Sequence, residues 1–533
     1  MTNTRFKAGT TLLLAAAALI VCGLDRASGA MQSRLSLAEK RGKQIYLHGT
    51  SPSGGKITAF LRDAAVEVPA SALTCVNCHG YRGEGKPEGG VVPSVITWEF
   101  LTKPYGMTDE SGRKRPPYTE KSLELCLIRG FDPAGNRVAG SMPVYQMRPE
   151  DMRDLIDYLK VLGSDPDPGV TGSALRLGTI IPGEGSARET GIAVKSALAA
   201  YFAEVNEQGG VYSRRIDLRV LEVSTGSLPV SGLVEKFIRD EDLFAMTGAF
   251  IAGSEQELAA AVEKEELPLV GPVTLLPRVE SPPKRQIFYL YSGLQEQAAA
   301  ILNFASSTSS GAQRVGVVYP QIEPFSAAVS AVESECQTLN WPAPEKLSYA
   351  RGLFDAAQAA TRLKQLRFDV VFLYTNSAET LALLNRLSGS KWSSQIFLPG
   401  ALVDPELLKA PKDVIASVHA SFPTLPLDHS LAGIAELQHL AKKHSLPRHH
   451  LVAQINAVAA AKVLVEALKI AGRDVSREKL ITTLEGFYQF QTGLTPPITF
   501  GLNRRIGALG AYIVSIDPDK REFIPVSNWI ALN

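Results

Sequence analysis

The sequence predicts a multidomain chain: a small all-α domain followed by a larger α/β body built as two lobes of parallel sheet flanked by helices. Three observations predict it. A chain of 533 residues is too long for one compact core, so two or three domains are expected. Residues 35–162 alternate short helical patterns with Gly- and Pro-rich loops. From Leu175 onward the rhythm changes to strand, helix, strand, the signature of βαβ units.

The chain begins with Arg5 and Lys7, an apolar run from Leu12 to Leu24, and small residues ending in "ASGA". That is the layout of a secretory signal peptide over residues 1–30, cleaved near Gly29 or Ala30. A retained anchor is the alternative, but the run is short for a bilayer span. Lipid attachment at Cys22 would need a small residue where Val21 stands. A periplasmic protein is therefore expected. Side chains number 55 basic and 54 acidic, a balance that asks for no nucleic acid and no anionic membrane.

In the first domain, residues 35–163, "SLAEKRGKQIYLHG" reads as a helix ended by Gly49. "RPEDMRDLIDYLKVLG" reads as another, starting near Pro149, with Met152, Leu155, Ile156 and Leu159 on one face. "TSPSGGKIT" superficially resembles a phosphate loop, but Ile57 follows Lys56 where Ser or Thr is needed, so a surface loop is expected. Residues 164–174 lie in "GSDPDPGVTGSA", the clearest linker in the chain.

Five cysteines are too few for a disulfide framework. Cys126 and Cys336 read as buried thiols, whereas Cys75 and Cys78 form a close pair. They belong to "CVNCH", the C-x-x-C-H pattern of covalent c-type haem attachment. Two thiols add to the two vinyl groups of one porphyrin, and the adjacent His79 offers its imidazole to the iron. Zinc would want two further ligands at similar spacing, and a redox dithiol would want a βαβ setting. A sixth ligand is expected beyond the motif, from Met107, Met142, Met147 or Met152. Met142, in the turn-forming "GSMPVY", is preferred and Met147 comes second, because Met152 falls on a packing face.

In their order along the chain, "EKRGKQIYLHG", "CVNCHGYRGEG", "IRGFDPAGNRVAGSMPVY" and "EDMRDLIDYLKVLG" resemble a class I cytochrome c from Leu35 to Gly163. The resemblance implies one covalent haem c on Cys75 and Cys78, with His79 as proximal and Met142 as distal iron ligand.

Residues 175–533 carry the strand candidates "LRLGTII", "IDLRVLEV", "LFAMTGAF", "PLVGPV", "RVGVVY", "DVVFLY" and "SQIFLPG". Together with the helix "GIAVKSALAAYFAEVNEQGG", they resemble the type I periplasmic substrate-binding proteins of ABC transporters, the branched-chain amino acid-binding class. The resemblance implies two lobes closing on a solute, with loops after the third and fourth strands supplying hydroxyls and amides. Here those loops offer Ser254 and Thr274. Each also has a plain structural account: Ser254 as a helix N-cap paired with Glu257, Thr274 as a turn residue. Tyr319 and Tyr374, at strand ends of the second lobe, are weaker candidates. Where amino-acid binders of this family place an acidic residue, "IFLPGALVD" is uncharged from Leu398 to Leu402, so the expected small organic solute is a carboxylate, alcohol, amide or aromatic compound at least as readily as an α-amino acid.

His439, His444, His449 and His450 lie in "LQHLAKKHSLPRHH" and read as a solvated face, and no hydrolytic motif is present. The expectation is an electron carrier and binding protein rather than an enzyme. It would serve an ABC permease or a periplasmic redox partner such as a dehydrogenase. The alternative is a redox-linked sensor or docking protein whose cleft no longer holds a solute.

Overall fold

The computed structural model describes residues 35–532 except 63, 81, 86–92, 109–111, 164–166, 186, 225–229, 252 and 278–283. The signal peptide expected over residues 1–30 lies outside the described residues. The chain divides into two compact units, Met1–Pro166 and Asp167–Asn533.

The small unit opens with α1 (Leu37–His48), whose start is a reciprocal capping box. Glu39 N donates to Ser36 Oγ and Ser36 N to the Glu39 carboxylate, and Gly49 ends the helix at φ 63°. There follow β1 (Thr58–Leu61), β2 (Val66–Pro69), α2 (Cys75–His79), α3 (Trp98–Leu101), β3 (Met107–Thr108) and β4 (Lys114–Arg115). The unit closes with α4 (Glu120–Arg129), β5 (Val144–Gln146) and α5 (Pro149–Val161). Helices carry its core, as expected. The sequence reading did not contain the short antiparallel sheet β2-β1-β5 or the β3-β4 hairpin. Strands of two to four residues leave too little alternation to detect.

Helices α1 and α5 cross closely because position 42 is glycine. A Cβ there would stand 2.0 Å from the Asp154 carbonyl oxygen. Beside the crossing, Arg41 grips the Asp154 carboxylate with two bonds of 2.6 and 2.8 Å. Tyr46 meets Tyr158 edge-on, with ring centroids 5.5 Å apart. The loop after α1 is more than surface: Ser51 is buried and donates to Asp151 Oδ1 at 2.8 Å.

In the large unit the first lobe is β6 (Ala174–Pro182), α6 (Arg188–Glu207), β7 (Arg215–Val223), α7 (Val230–Asp240), β8 (Ala245–Thr247), α8 (Glu255–Lys264), β9 (Leu269–Val270) and β10 (Ile287–Tyr291). The second lobe runs α9 (Leu294–Thr308), β11 (Val315–Pro320), α10 (Phe325–Thr338), β12 (Glu345–Tyr349), α11 (Ala356–Leu366), β13 (Val370–Leu373), α12 (Ser377–Leu387), β14 (Gln395–Pro399), α13 (Lys412–Ile415) and β15 (Val418–Phe422). The chain then returns to the first lobe with α14 (Leu431–Lys443), α15 (Leu451–Ala471), α16 (Arg477–Glu485) and β16 (Ile506–Ala508). It ends in the second with β17 (Gly510–Asp517), β18 (Glu522–Pro525) and β19 (Ile530–Ala531).

The first sheet, ordered β16-β10-β9-β8-β6-β7, is parallel throughout. The second, β12-β11-β13-β14-β15-β17-β18, is parallel as far as β15, and β17 joins it antiparallel. Three segments therefore connect the lobes: after β10, after β15, and between β16 and β17. They are bonded to one another. Ser292 Oγ, in the first, donates to Ala508 O and accepts from Gly510 N at 2.8 Å. Tyr512, on β17, donates to Asp428 of the second segment at 2.5 Å. Helix α15 is largely apolar and mostly buried, packed inside the first lobe with α6.

Candidate haem site and ligand cleft

Cys75 and Cys78 stand one turn apart on α2 as free thiols, the first half-buried and the second exposed. Burial pushes the Cys75 thiol up to about 11. His79 closes the same helix and is 7% exposed. Its Nδ1 lies 2.9 Å from the carbonyl oxygen of Ser94. A carbonyl only accepts, so the proton sits on Nδ1 and Nε2 keeps its lone pair free for a metal. Burial lowers the imidazole pKa, with the Ser94 bond opposing in part, and a neutral ring is the ligating form.

Ser94 reaches His79 because the chain doubles back after the motif. Gly83 and Gly85 have φ of 72° and 81°, and a Cβ on Gly85 would lie 2.4 Å from the Pro93 carbonyl oxygen. Ile96 N then bonds Gly83 O at 2.7 Å, and Gly85 N bonds His79 O at 3.0 Å.

Met142 is brought to this segment by two side chains that the sequence reading missed. Tyr145, three residues on, donates to the carbonyl of Leu73 at 2.8 Å, two residues before Cys75. Arg62, from the end of β1, donates to the carbonyls of Gly130, Val138 and Ala139, holding the loop that carries Met142. Tyr46 completes the frame by donating to Gly80 O at 2.6 Å. Cys75 and Met142 are half-buried at the edge of one apolar cluster, with Leu73, Val76, Ile96, Trp98, Val138 and Met147. Met152 is buried inside that cluster, as its helix face predicts, and Met107 lies on β3. The Thr74 hydroxyl, next to Cys75, is buried without a partner. Two free thiols at one-turn spacing beside a neutral imidazole form a donor set that fits haem c.

In the large unit, Ser254 sits half-buried at the start of α8 and makes no cap bond. The expected capping box is absent, because Glu257 instead accepts from Ser231 N at 3.1 Å. Thr274 accepts from Leu276 N at 3.0 Å, a local turn, and lines a mainly apolar pocket with Glu255, Ala249, Ile251 and Tyr289. Tyr319 and Tyr374 end the stripes Val315-Val317-Tyr319 and Val370-Phe372-Tyr374 on one face of the second sheet, and both pack into the same core cluster. Tyr319 is half-buried. Tyr374 is 1% exposed, stacked on Phe372, and burial raises its pKa.

His439, His449 and His450 are exposed, as a solvated face requires, and His444 is half-buried, but the four are not idle. His444 Nε2 lies 2.7 Å and Lys443 Nζ 2.8 Å from Glu204 on α6, with His439 at 3.7 Å. His449 and His450 lie before α15 and face the first turn of α6, where His449 is 3.2 Å from Glu189. Their partners lie on another element, more than two hundred residues earlier in the sequence.

Fold and site define a two-lobed binding protein of the periplasmic type carrying a cytochrome c domain. The periplasmic binding protein profile matches residues 174–521, and the chain belongs to that family. The cytochrome c profile matches residues 69–163; α1, which precedes that match, packs into the same core. Among solved structures, a fatty acid ABC transporter substrate-binding protein from Thermomonospora curvata aligns at 18% identity and TM-score 0.54. The alignment covers 69% of this chain and 95% of that one. A branched chain amino acid ABC transporter from Thermus thermophilus with bound valine aligns at 16% identity and TM-score 0.55, over 68% and 97% of the two chains. At these identities the likeness is one of fold. Comparison with curated proteins gives no match.

Proposed function

We propose that the protein is a periplasmic monohaem cytochrome c fused to a solute-binding body, with one-electron transfer linked to capture of a small organic solute. The observation that carries the redox half is the α2 arrangement: two free thiols and a buried imidazole whose Nδ1 is committed to Ser94. In this reading Cys75 and Cys78 hold one haem covalently, His79 is the proximal ligand and Met142 the distal one.

Bound haem supplies a reversible one-electron couple, whose potential a methionine ligand raises. The chain does the rest. Ser94 fixes the His79 ring, Arg62 and Tyr145 hold the Met142 loop against the attachment helix, and the half-buried Leu73, Val76, Ile96 and Trp98 exclude water from the group they cover. Holding haem in this way, the unit would serve as a one-electron carrier.

Ser254, with its uncommitted hydroxyl at the start of α8, and Thr274 in the pocket-lining turn are the proposed solute contacts, with the half-buried Tyr319 as the weaker candidate of the second lobe. Burial of Tyr374 removes it from that set. A periplasmic dehydrogenase that oxidises the solute and reduces the haem is favoured as the partner, since delivery to an ABC permease has no use for a redox centre. The uncharged segment Leu398–Leu402 and the buried Tyr374 favour one other reading, a docking protein whose cleft holds no solute.

The test uses holoprotein purified from its own periplasm. A low-spin reduced spectrum is expected, together with a methionine-to-iron charge-transfer band in the oxidised form that is lost in M142A; high-spin, carbon monoxide-binding iron in the wild type overturns the carrier. Native mass spectrometry is expected to find a co-purifying small molecule that S254A releases, and an empty cleft with no solute-induced rise in melting temperature supports the docking protein.

A further inference from the structure

Successive side chains on an extended segment point to opposite sides, so neighbouring histidines seldom serve one centre. His449 and His450 are an exception. His450 adopts φ 57° and ψ 37°, the left-handed region that residues other than glycine enter at steric cost. The turn this makes brings the two rings edge to face, with centroids 4.9 Å apart and planes at 79°. The loop that carries them is anchored from beneath: Gln454, 2% exposed, donates to the carbonyls of Pro447 at 2.7 Å and His449 at 2.8 Å.

Opposite the pair stands the first turn of α6. Glu189 Oε2 lies 3.2 Å from His449 Nε2, and Thr190 Oγ1 lies 3.2 Å from His450 Nδ1. One donor atom from each of Glu189, His449 and His450 lies within 4.8 Å of the others.

We infer that Glu189, His449 and His450 form a binding site for a divalent transition-metal ion of the zinc class. Two imidazoles and one carboxylate are a donor set for Zn2+ and its neighbours, and three protein ligands leave a tetrahedral ion one open position. Ligand atoms about 2.1 Å from a tetrahedral ion stand roughly 3.4 Å apart. All three side chains are exposed, so rotation about their own bonds closes the set without moving the backbone. Thr190 acts as an outer-shell partner that holds the His450 ring. The neighbouring assembly of His439 and His444 on Glu204 is not equivalent, because Lys443 Nζ already supplies the cation there at 2.8 Å. The inferred site uses none of the haem-attachment residues and none of the proposed solute contacts.

Equilibrium dialysis of tag-free, full-length holoprotein against Zn2+, with elemental analysis separating zinc from haem iron, tests the inference. One zinc per chain is expected, with micromolar or tighter affinity. H449A and H450A each weaken it by about a hundredfold, and T190V by about tenfold, as outer-shell losses do. H444A leaves it unchanged. Circular dichroism and the haem spectrum check that each variant is folded. Absence of retained zinc in the wild type, equal retention by the H449A/H450A double variant, or loss in H444A would each overturn the site.

Discussion

The two units of this protein build their interiors differently. Four tyrosines, Tyr46, Tyr118, Tyr145 and Tyr158, are buried in the core of the small unit. Two of them direct their hydroxyls to backbone carbonyls on either side of the CVNCH motif. The same cluster leaves Leu73, Val76, Ile96, Trp98, Val138 and Met142 only half covered. The first lobe of the large unit, by contrast, has a larger and mainly aliphatic interior, with Leu177, Val194, Leu198, Val458 and Leu464 fully buried, and half-covered side chains such as Leu218 and Trp529 form a smaller share of it. A core that ends in polar frames and half-covered apolar edges depends on what binds there. A core closed by its own aliphatic groups does not.

The largest expected effect breaks the first side of this contrast. A C75A/C78A double variant is expected to lose covalent haem, read as loss of haem staining on a denaturing gel. With it goes the melting transition of the small unit, because the half-covered edge is exposed and its burial is worth about 25 cal/mol per Å². Scanning calorimetry should leave the transition of the large unit in place. An unchanged small-unit transition in the variant sinks the idea that haem completes that core.

The converse experiment is made at Arg505, a charge buried in the large unit at 1% exposure. It pairs with Glu485 at 2.7 Å, donates to the Gly501 carbonyl at 2.8 Å, and lies over the Phe288 ring at 4.7 Å. R505M keeps the volume but leaves Glu485 buried beside only the more distant Arg285, at 3.6 Å. Removing one partner of a buried pair costs about 3 kcal/mol. Urea unfolding of the large unit should shift by that amount while the haem spectrum stays constant; a shift near zero would show that Glu485 is satisfied without Arg505.

The same contrast decides what was legible in the sequence. CVNCH announced its chemistry because thiols and imidazole fall within five residues, and Gly49 announced the end of α1. Ser94, Arg62 and Tyr145 were silent: Ser94 offers only its own backbone carbonyl to His79, and Arg62 and Tyr145 donate to backbone carbonyls 68 to 77 residues away. In the second lobe, Tyr374 was offered as a solute contact from its place at a strand end, yet it is buried, and a parallel sheet covered on both faces is apolar on both. With Val318 and Leu373 as apolar as Val317 and Phe372, alternation carried no sign of which face was which. The histidines of "LQHLAKKHSLPRHH" are largely exposed, as read, but gave no sign of their partners, since the carboxylates that they meet belong to α6, some 240 residues earlier in the case of His444.

The smallest effect concerns that long-range pairing. Lys443 and His444 hold the Glu204 carboxyl down to about 2, from an ordinary 4.5. A folded-state pKa below the unfolded one means that the contribution is complete above the ordinary value and is lost as pH falls toward 2. E204Q removes it. The stability gap between wild type and variant should be constant above pH 5, narrow steadily below 4.5, and close near pH 2. Because the group is near solvent, added salt should shrink the gap at neutral pH. A gap that persists unchanged to pH 2 would mean that α14 is held against α6 by packing alone, and that in this unit even the surface pairs are secondary to the aliphatic core.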